Sequence, residues 1–338
     1  MLWFVLAVLV LISWGLTAGL RRYAHSRWLD MPNERSSHVE PTPHGGGLAV
    51  VVTFFLGLVA LFFLGELPLS VLVGFLGAGA LVAAVGFWDD HTQLPARWRL
   101  LAHFAASTWG VFWLGGLPAL TLLGFYIDFG LVGDLLLVIL LVWLLNLYNF
   151  MDGIDGIAGM EALTVTIAGA WLALIAVPDA SVYLPLALAA SVLGFLVWNY
   201  PPAKIFMGDV GSAFIGLVLG LLMVTSSQQD ERLFWAWLIL LGTFIVDATV
   251  TLVTRVLHGE VFYEAHRSHA YQYLSRKLRQ HKPVTLLYGA VNLVWLFPVA
   301  LMVTLGYLDG LVGLMLAYAP LAILALYFKA GNARRQEV

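Results

Sequence analysis

Runs of roughly twenty consecutive apolar residues recur along this chain, and that length matches the hydrocarbon thickness a membrane helix must cross. They fall near residues 2–20, 46–64, 70–88, 100–117, 131–148, 159–177, 183–198, 210–226, 233–257, 284–304 and 310–329. Their length argues for helices, since strands of a membrane barrel alternate in polarity over only about ten residues. Composition agrees: 61% of the 338 residues are hydrophobic and 11% charged, against roughly 25% charged in soluble domains. The first run, Leu2 to Leu20, has no basic stretch before it and no small-residue cleavage site after it, so it reads as a retained membrane helix. Cysteine is absent, which excludes disulfides and thiolate metal sites. The expectation is an all-α polytopic membrane protein with eleven transmembrane helices, forming one unit over residues 1–338.

Threading those helices alternately sorts the loops into two families. One holds residues 21–45, 89–99, 149–158, 199–209, 258–283 and the tail; the other holds the N-terminus, 65–69, 118–130, 178–182, 227–232 and 305–309. Of the 17 Lys and Arg residues, only Arg232 falls in the second family; Arg255 and Lys329 sit at helix ends on the first side. Basic residues concentrate in cytoplasmic loops, so the first family is cytoplasmic, the N-terminus outside and the C-terminus inside. The stretch 118–130, PALTLLGFYIDFG, is apolar and β-branched around Gly124, and predicts a small periplasmic β-hairpin.

Every dense polar motif lies in the cytoplasmic family. The segment NLYNFMDGIDGIAG (146–159) places Asn146, Asn149, Asp152 and Asp155 three residues apart, which on a helix is one face. The plain alternative is an Asp-Gly turn between two helices. GFWDD (86–90) ends a helix with Asp89 and Asp90, and Arg97 and Arg99 follow. Paired carboxylates suit metal binding or proton abstraction, and acids near hydrocarbon are usually functional. NYPPAKIFMGDVGS (199–212) puts Asp209 just before an apolar helix, where it would cap that helix or hold a cation against phosphate; Lys204 offers a phosphate-binding charge and Phe206 a stacking ring. PNERSSHVEPTPHGGG (32–47) offers Ser36, Ser37, His38, Thr42 and His44 beside three glycines, for ligand approach or close helix packing. EAHRSHAYQYLSRKLRQHK (264–282) puts His266 and His269 on one helical face with Arg267 between; the basic stretch after them fits a phosphate clamp or an anionic lipid surface. Asp247, inside a helix, is in reach of Arg255 two turns on. Hard oxygen ligands around phosphate point to Mg²⁺, and the whole describes a site for a phosphorylated soluble substrate at the membrane surface.

Together NxxNxxDGxDGxAG, GFxDD, NYPPAKIFMGDVGS and HRSHAYQ resemble, in order along residues 32 to 282, the polyprenyl-phosphate N-acetylhexosamine-1-phosphate transferases of glycosyltransferase family 4. The resemblance implies transfer of a sugar-1-phosphate from a UDP-sugar to undecaprenyl phosphate, with release of UMP. It implies Mg²⁺, with Mn²⁺ as a substitute, held by Asp209 and Asn149. Asp89 would ready the lipid phosphate, supported by Asp90; Asp152 and Asp155 would shape the nucleotide end; Asn199 and Phe206 would contact uracil. His266 and His269, with Arg267, would bind phosphate or sugar, and His38, Thr42 and Lys204 would assist substrate binding. The lipid I translocases carry three consecutive histidines and the common-antigen enzymes a His-Ile-His-His motif, where this chain has His-Arg-Ser-His. That places the resemblance nearest the O-antigen-initiating branch, with UDP-GlcNAc, UDP-FucNAc or UDP-QuiNAc as donor, in the bacterial inner membrane. Expected partners are the UDP-N-acetylhexosamine, undecaprenyl phosphate and membrane lipid, and no nucleic acid; homodimer formation is left open. The competing class is a transporter, which would place its acids near the midplane on broken helices of repeated halves; here they gather at helix ends.

Overall fold

A computed structural model describes residues 1–24, 29–30, 42–92, 94–178, 180–260 and 266–332. Each apolar run forms helix. In chain order these are α1 (Leu2–Ala24), α2 (Gly47–Phe63), α3 (Leu69–Thr92), α4 (Ala96–Leu114), α5 (Gly130–Met151), α6 (Ile157–Ala176), α7 (Tyr183–Asn199), α8 (Asp209–Ser227), α9 (Arg232–Leu240), α10 (Gly242–Leu257), α11 (Ala270–Leu278), α12 (Lys282–Val291), α13 (Phe297–Thr304) and α14 (Gly310–Tyr327). Two short antiparallel pairs complete the described structure: β1 (Leu29–Asp30) with β2 (Thr42–Pro43), and β3 (Leu120–Leu122) with β4 (Phe125–Ile127). The chain is a multi-pass helical membrane protein. Among the described residues seven helices are long and apolar enough to cross a bilayer, and an eighth span forms if α9 and α10 count as one.

Two of the eleven runs are not continuous α-helices. The run 233–257 bends by 67° between α9 and α10. The break falls at Leu241, directly before Gly242, the poorest helix former short of proline, whose backbone packs beside Tyr318 and Leu296. The run 284–304 passes through a π turn at Asn292–Leu296, directly before Pro298. Proline removes a backbone donor and crowds the preceding turn, and a widened turn absorbs both.

Helix α8 is the centre of the bundle: nearly every residue from Val210 to Ser227 is buried, and α3, α5, α2 and α9 pack around it. Its small residues let neighbours approach. A Cβ on Gly47 would lie 2.4 Å from Gly211 Cα, so α2 and α8 cross with their backbones touching. The N–H groups of Gly46 and Gly47 donate to Phe206 and Met207 carbonyls at 2.9 and 2.8 Å. The glycine run therefore serves close packing. At the far end, β3 and β4 form the hairpin expected around Gly124; Leu123 and Gly124 take positive φ of 50° and 84°, the turn whose twist matches paired strands.

Candidate active site at one end of the bundle

The C-terminal ends of α3 and α5 and the N-terminal ends of α4 and α8 meet at a small cleft of about 40 Å³. It is lined by Asp89, Arg99, His103, Asn146, Asn149 and Asp209, among others. Asn149 donates its amide N–H to Asp209 Oδ1 at 2.8 Å and to Ser212 Oγ at 2.9 Å, leaving its own amide oxygen unengaged by those bonds. Asp89, almost fully buried, accepts the Leu94 N–H at 2.6 Å and a guanidinium N–H of Arg99. Arg99 also lies 3.8 Å from Asp209 Oδ2, so one cation spans the two carboxylates.

Asp90 does something else. Its carboxylate accepts the N–H groups of Asp209 and Val210 at 2.9 and 3.3 Å, which caps α8 from the end of α3. Asp209 is thereby the first residue of α8 rather than its cap, and its carboxylate stays in the cleft. An acid at a helix N-terminus is stabilised by the orphan amides there.

The turn after α5 carries the chain to a second cavity. Asn146 and Asn149 are on α5, but the helix stops at Met151 and Asp152 is its C-cap, so the four residues do not share one helical face. Gly153 and Gly156 break the helix, Gly156 with φ of 72°. Asp152 is half-buried; burial, then the charges of Asp209 and Asp155, push its carboxyl up to about 7. Asp155 accepts the Ala203 N–H at 3.0 Å and lies 3.1 Å from His281 Nδ1. Its neighbour cavity is far larger, about 580 Å³, and includes Arg267, Arg276, Arg279, His281 and Lys282 in its wall. The cavity with the acids is thus ion-sized, and the cavity with the cations is large enough for a nucleotide-sized anion.

Other expected residues have structural partners. Asn199 is buried; its Oδ1 accepts the Gly156 N–H and its Nδ2 donates to the Ile205 carbonyl, both at 3.0 Å, so it braces one polar loop against the other. Lys204 is exposed, with Nζ 5.6 Å from the Trp198 ring centre, and lines neither cavity. Phe206 is half-buried, its backbone N–H bonded to the Pro43 carbonyl. Thr42 lies in β2, paired with Asp30. His38 lies outside the described residues.

His266 and His269 are neighbours, with ring centres 4.8 Å apart, but α11 begins only at Ala270, so they approach along a loop and not a helix face. His269 is buried against Asp247, Nδ1 to Oδ1 3.4 Å. Burial first, then the charges of His269 and Arg255, push His266 down to about 3, which keeps it neutral at physiological pH. Asp247 does not pair with Arg255. It accepts the N–H groups of Ala270 and Tyr271 at 2.9 and 3.1 Å and so caps α11, while Arg255 bonds Glu260 at 2.8 Å. The amides at a helix start are the stronger claim on a buried acid.

Two cleft residues, Arg99 and His103, and Ser212, which accepts from Asn149, are not singled out by the sequence as site residues. Arg99 and His103 are four apart, one helical face, directly after the acid pair; that spacing was the available signal. His103 is buried and its Nδ1 has no hydrogen-bond partner.

Among the described residues no three His, Asp or Glu side chains form a metal cage. The oxygens of Asp89, Asn149 and Asp209 are hard donors, few in number. That set fits Mg²⁺, which is commonly held by one or two carboxylates and takes its remaining ligands from water and substrate phosphate.

A helical membrane protein with an oxygen-rich cleft and a cationic cavity at one bundle end is the class these features define. The glycosyl transferase family 4 model matches residues 72–227. A probable undecaprenyl-phosphate N-acetylglucosaminyl 1-phosphate transferase of Bacillus subtilis is 29% identical over 281 residues, covering 79% of this chain and 75% of the relative. The decaprenyl-phosphate N-acetylglucosaminephosphotransferase of Mycobacterium tuberculosis is 30% identical over 300 residues, 76% and 71% of the two chains. A phospho-N-acetylmuramoyl-pentapeptide-transferase of Moorella thermoacetica is 30% identical over 242 residues, 67% and 75%. The chain belongs to the polyprenyl-phosphate N-acetylhexosamine-1-phosphate transferase family.

Proposed function

We propose that this protein transfers N-acetylhexosamine-1-phosphate from a UDP-sugar to undecaprenyl phosphate and releases UMP. The observation that carries the reading is the convergence of Asp89, Arg99, Asn149 and Asp209 on one cleft beside a cationic cavity. An oxygen of the lipid phosphate attacks the phosphorus that bears the sugar; the bond from that phosphorus to the oxygen bridging it to uridine phosphate breaks, and UMP leaves with those electrons. Phosphoryl transfer of this kind needs charge neutralisation and alignment more than covalent help from the protein.

Asp209 and the Asn149 amide oxygen would hold Mg²⁺, or Mn²⁺ in its place, which when bound supplies charge neutralisation on the pyrophosphate. Asp89 takes up the proton if the lipid phosphate arrives protonated. Arg99 steadies phosphate oxygens between the two acids. Arg267, with Arg276, Arg279 and Lys282 around the larger cavity, draws in the UDP-sugar, and Asp152 and Asp155 shape the turn between. On this reading this end of the bundle lies on the cytoplasmic face of the bacterial inner membrane, with the N-terminus and the β3–β4 hairpin outside; the distribution of Lys and Arg supports that orientation. The His-Arg-Ser-His motif supports a role in starting O-antigen or a related surface glycan, and the names of the relatives make UDP-GlcNAc the first donor to try, with UDP-FucNAc and UDP-QuiNAc beside it.

Purified protein in detergent, given undecaprenyl phosphate, Mg²⁺ and a panel of UDP-N-acetylhexosamines, is expected to release UMP with at least one donor. Absence of UMP across the whole panel ends the reading.

A further inference from the structure

Glu161 lies one turn inside α6, is 1% exposed, and makes no ion pair with any described residue. Its neighbours are Thr243 on α10 and Asn292 at the π turn, both buried. Thr243 Oγ1 is 3.0 Å from Glu161 Oε1, 2.9 Å from Oε2 and 3.1 Å from Asn292 Oδ1. Asn292 Nδ2 is 2.6 Å from Glu161 Oε2 and 2.9 Å from Thr164 Oγ1. The Thr164 hydroxyl donates to the Met160 carbonyl at 2.9 Å, so toward Asn292 it can only accept. That fixes the amide orientation: Nδ2 faces Glu161 and Oδ1 faces Thr243.

Counting protons then decides the state of the acid. Thr243 has one hydroxyl proton. With Glu161 ionised, that proton goes to the carboxylate, and the Thr243 and Asn292 oxygens are left facing each other with no hydrogen between. An unpaired charge would also be buried beside hydrocarbon. With Glu161 protonated, the three groups close a ring: Glu161 O–H donates to Thr243, Thr243 O–H donates to Asn292 Oδ1, and Asn292 N–H donates back to Glu161. Each of the three side chains then donates once and accepts once within the ring.

The ring is one of two rungs between α10 and α12. Thr243 and Asp247 are one turn apart on α10; Asn292 is one turn beyond Tyr288, whose hydroxyl donates to Asp247 at 2.7 Å. One rung grips α6 just after the Asp152–Gly156 turn, and the other caps α11, which leads into the cationic cavity wall. We propose that Glu161 is a protonated positioning residue, whose hydrogen-bond ring fixes the Asp152–Gly156 turn against α11 so that the nucleotide-sugar cavity keeps its shape. The positioning role rests on the transferase reading; the ring itself does not.

Glutamine can replace every bond of a neutral glutamic acid here, donating from its amide nitrogen and accepting at its oxygen; alanine can replace none. Wild type, Glu161→Gln and Glu161→Ala are compared by infrared difference spectroscopy, thermal unfolding in detergent, and UMP release. The wild type minus Gln spectrum is expected to show the carbonyl band of a protonated carboxylic acid. Glu161→Gln should unfold with wild type and keep its kinetic constants within about twofold, whereas Glu161→Ala should unfold several degrees lower and raise KM for the UDP-sugar about tenfold, the scale of one lost buried hydrogen bond. Absence of the band, a Gln variant as impaired as Ala, or an Ala variant equal to wild type each overturns the proposal. If wild type shows no turnover with any donor, the transferase reading fails by itself, and the band with the order of unfolding temperatures still decides the ring.

Discussion

The two ends of the helix bundle use their acids differently. At the hairpin end each described acid holds something in place. Glu231 accepts both the N–H and the hydroxyl of Thr121; Asp309 accepts the Leu123 N–H at 2.9 Å and caps α14; Asp134 accepts the Leu117 N–H at 2.8 Å; Asp230 is bonded by Arg232. At the other end Asp90 and Asp247 are similarly committed to helix starts. Asp209, Asp89 and Asp152 are used differently: Asp89 accepts the Leu94 N–H with one oxygen and shares Arg99 with Asp209 through the other, Asp209 accepts the Asn149 amide, and Asp152 is crowded by two other carboxylates. The architectural acids are held by amides or a neighbouring arginine alone, whereas Asp89 and Asp209 also line the cleft, with like charges close enough to call for a cation. Equal acidity at the two ends thus has unequal meaning, and single substitutions separate the two uses.

The sharpest separation is Asp209→Asn. It preserves shape and the Asn149 contact yet removes the negative charge from the cleft, and turnover should fall about a thousandfold with the unfolding temperature unchanged. Asp89→Asn should follow at about a hundredfold, read in kcat, the size of a lost proton acceptor. Arg99→Ala removes the cation shared by both acids; kcat/KM for the UDP-sugar should drop about tenfold, with partial recovery in Arg99→Lys, which keeps charge but not the fork. UMP release in saturating Mg²⁺ measures all three. Near-wild-type turnover in the Asp209 variant would make that acid another architectural one and erase the contrast.

Much of this contrast was readable beforehand, for physical reasons. A bilayer imposes long apolar runs, so all eleven runs proved helical, and acids beside such runs stand out because hydrocarbon forbids them without cause. Asp89 and Asp209 stand out that way, Asn149 through its spacing with Asp152 and Asp155, and the structure gathers Asp89, Asn149 and Asp209 at one cleft. What the chain order hides is pairing across distance. Nothing near Asp90 announces that it caps a helix beginning 119 residues later. Asn199 looked like a base contact, and the loop it braces lies 43 residues earlier. The Asp247–Arg255 pairing was plausible by helical spacing, yet a closer partner for Arg255 stands at Glu260 and a better use of Asp247 stands at α11. Arg99 and His103 were readable in principle, since helical spacing alone puts them on one face next to the acid pair.

At the hairpin end the expected effect is smaller and of another kind. Glu231→Ala frees Thr121 and so loosens the tie between β3 and the start of α9. The unfolding temperature in detergent should fall by about 2 °C, in line with one or two lost hydrogen bonds in a chain of this size. Turnover per folded molecule should stay at the wild-type value. A loss of turnover beyond the loss of folded protein would mean that the two ends are coupled.

The smallest effect concerns Asp152, where stability and site overlap. Its folded carboxyl titrates at about 7, raised from 3.8 by burial and by Asp209 and Asp155. The sign follows from the direction of the shift. Below about pH 4 both folded and unfolded chains carry the proton, and the group's full stabilising contribution is present. As pH rises toward 7 the unfolded chain releases the proton and the folded chain retains it, so folding loses stability across that window and no more beyond it. Asp152→Asn removes the titration. Its unfolding temperature should therefore match wild type near pH 4 and exceed it by a degree or two near pH 8, the gap opening between those values; partial exposure of the side chain keeps the gap small. A gap that is constant with pH, or one that opens on the acid side, would show that folding does not raise the Asp152 carboxyl and would place it with the satisfied acids of the hairpin end.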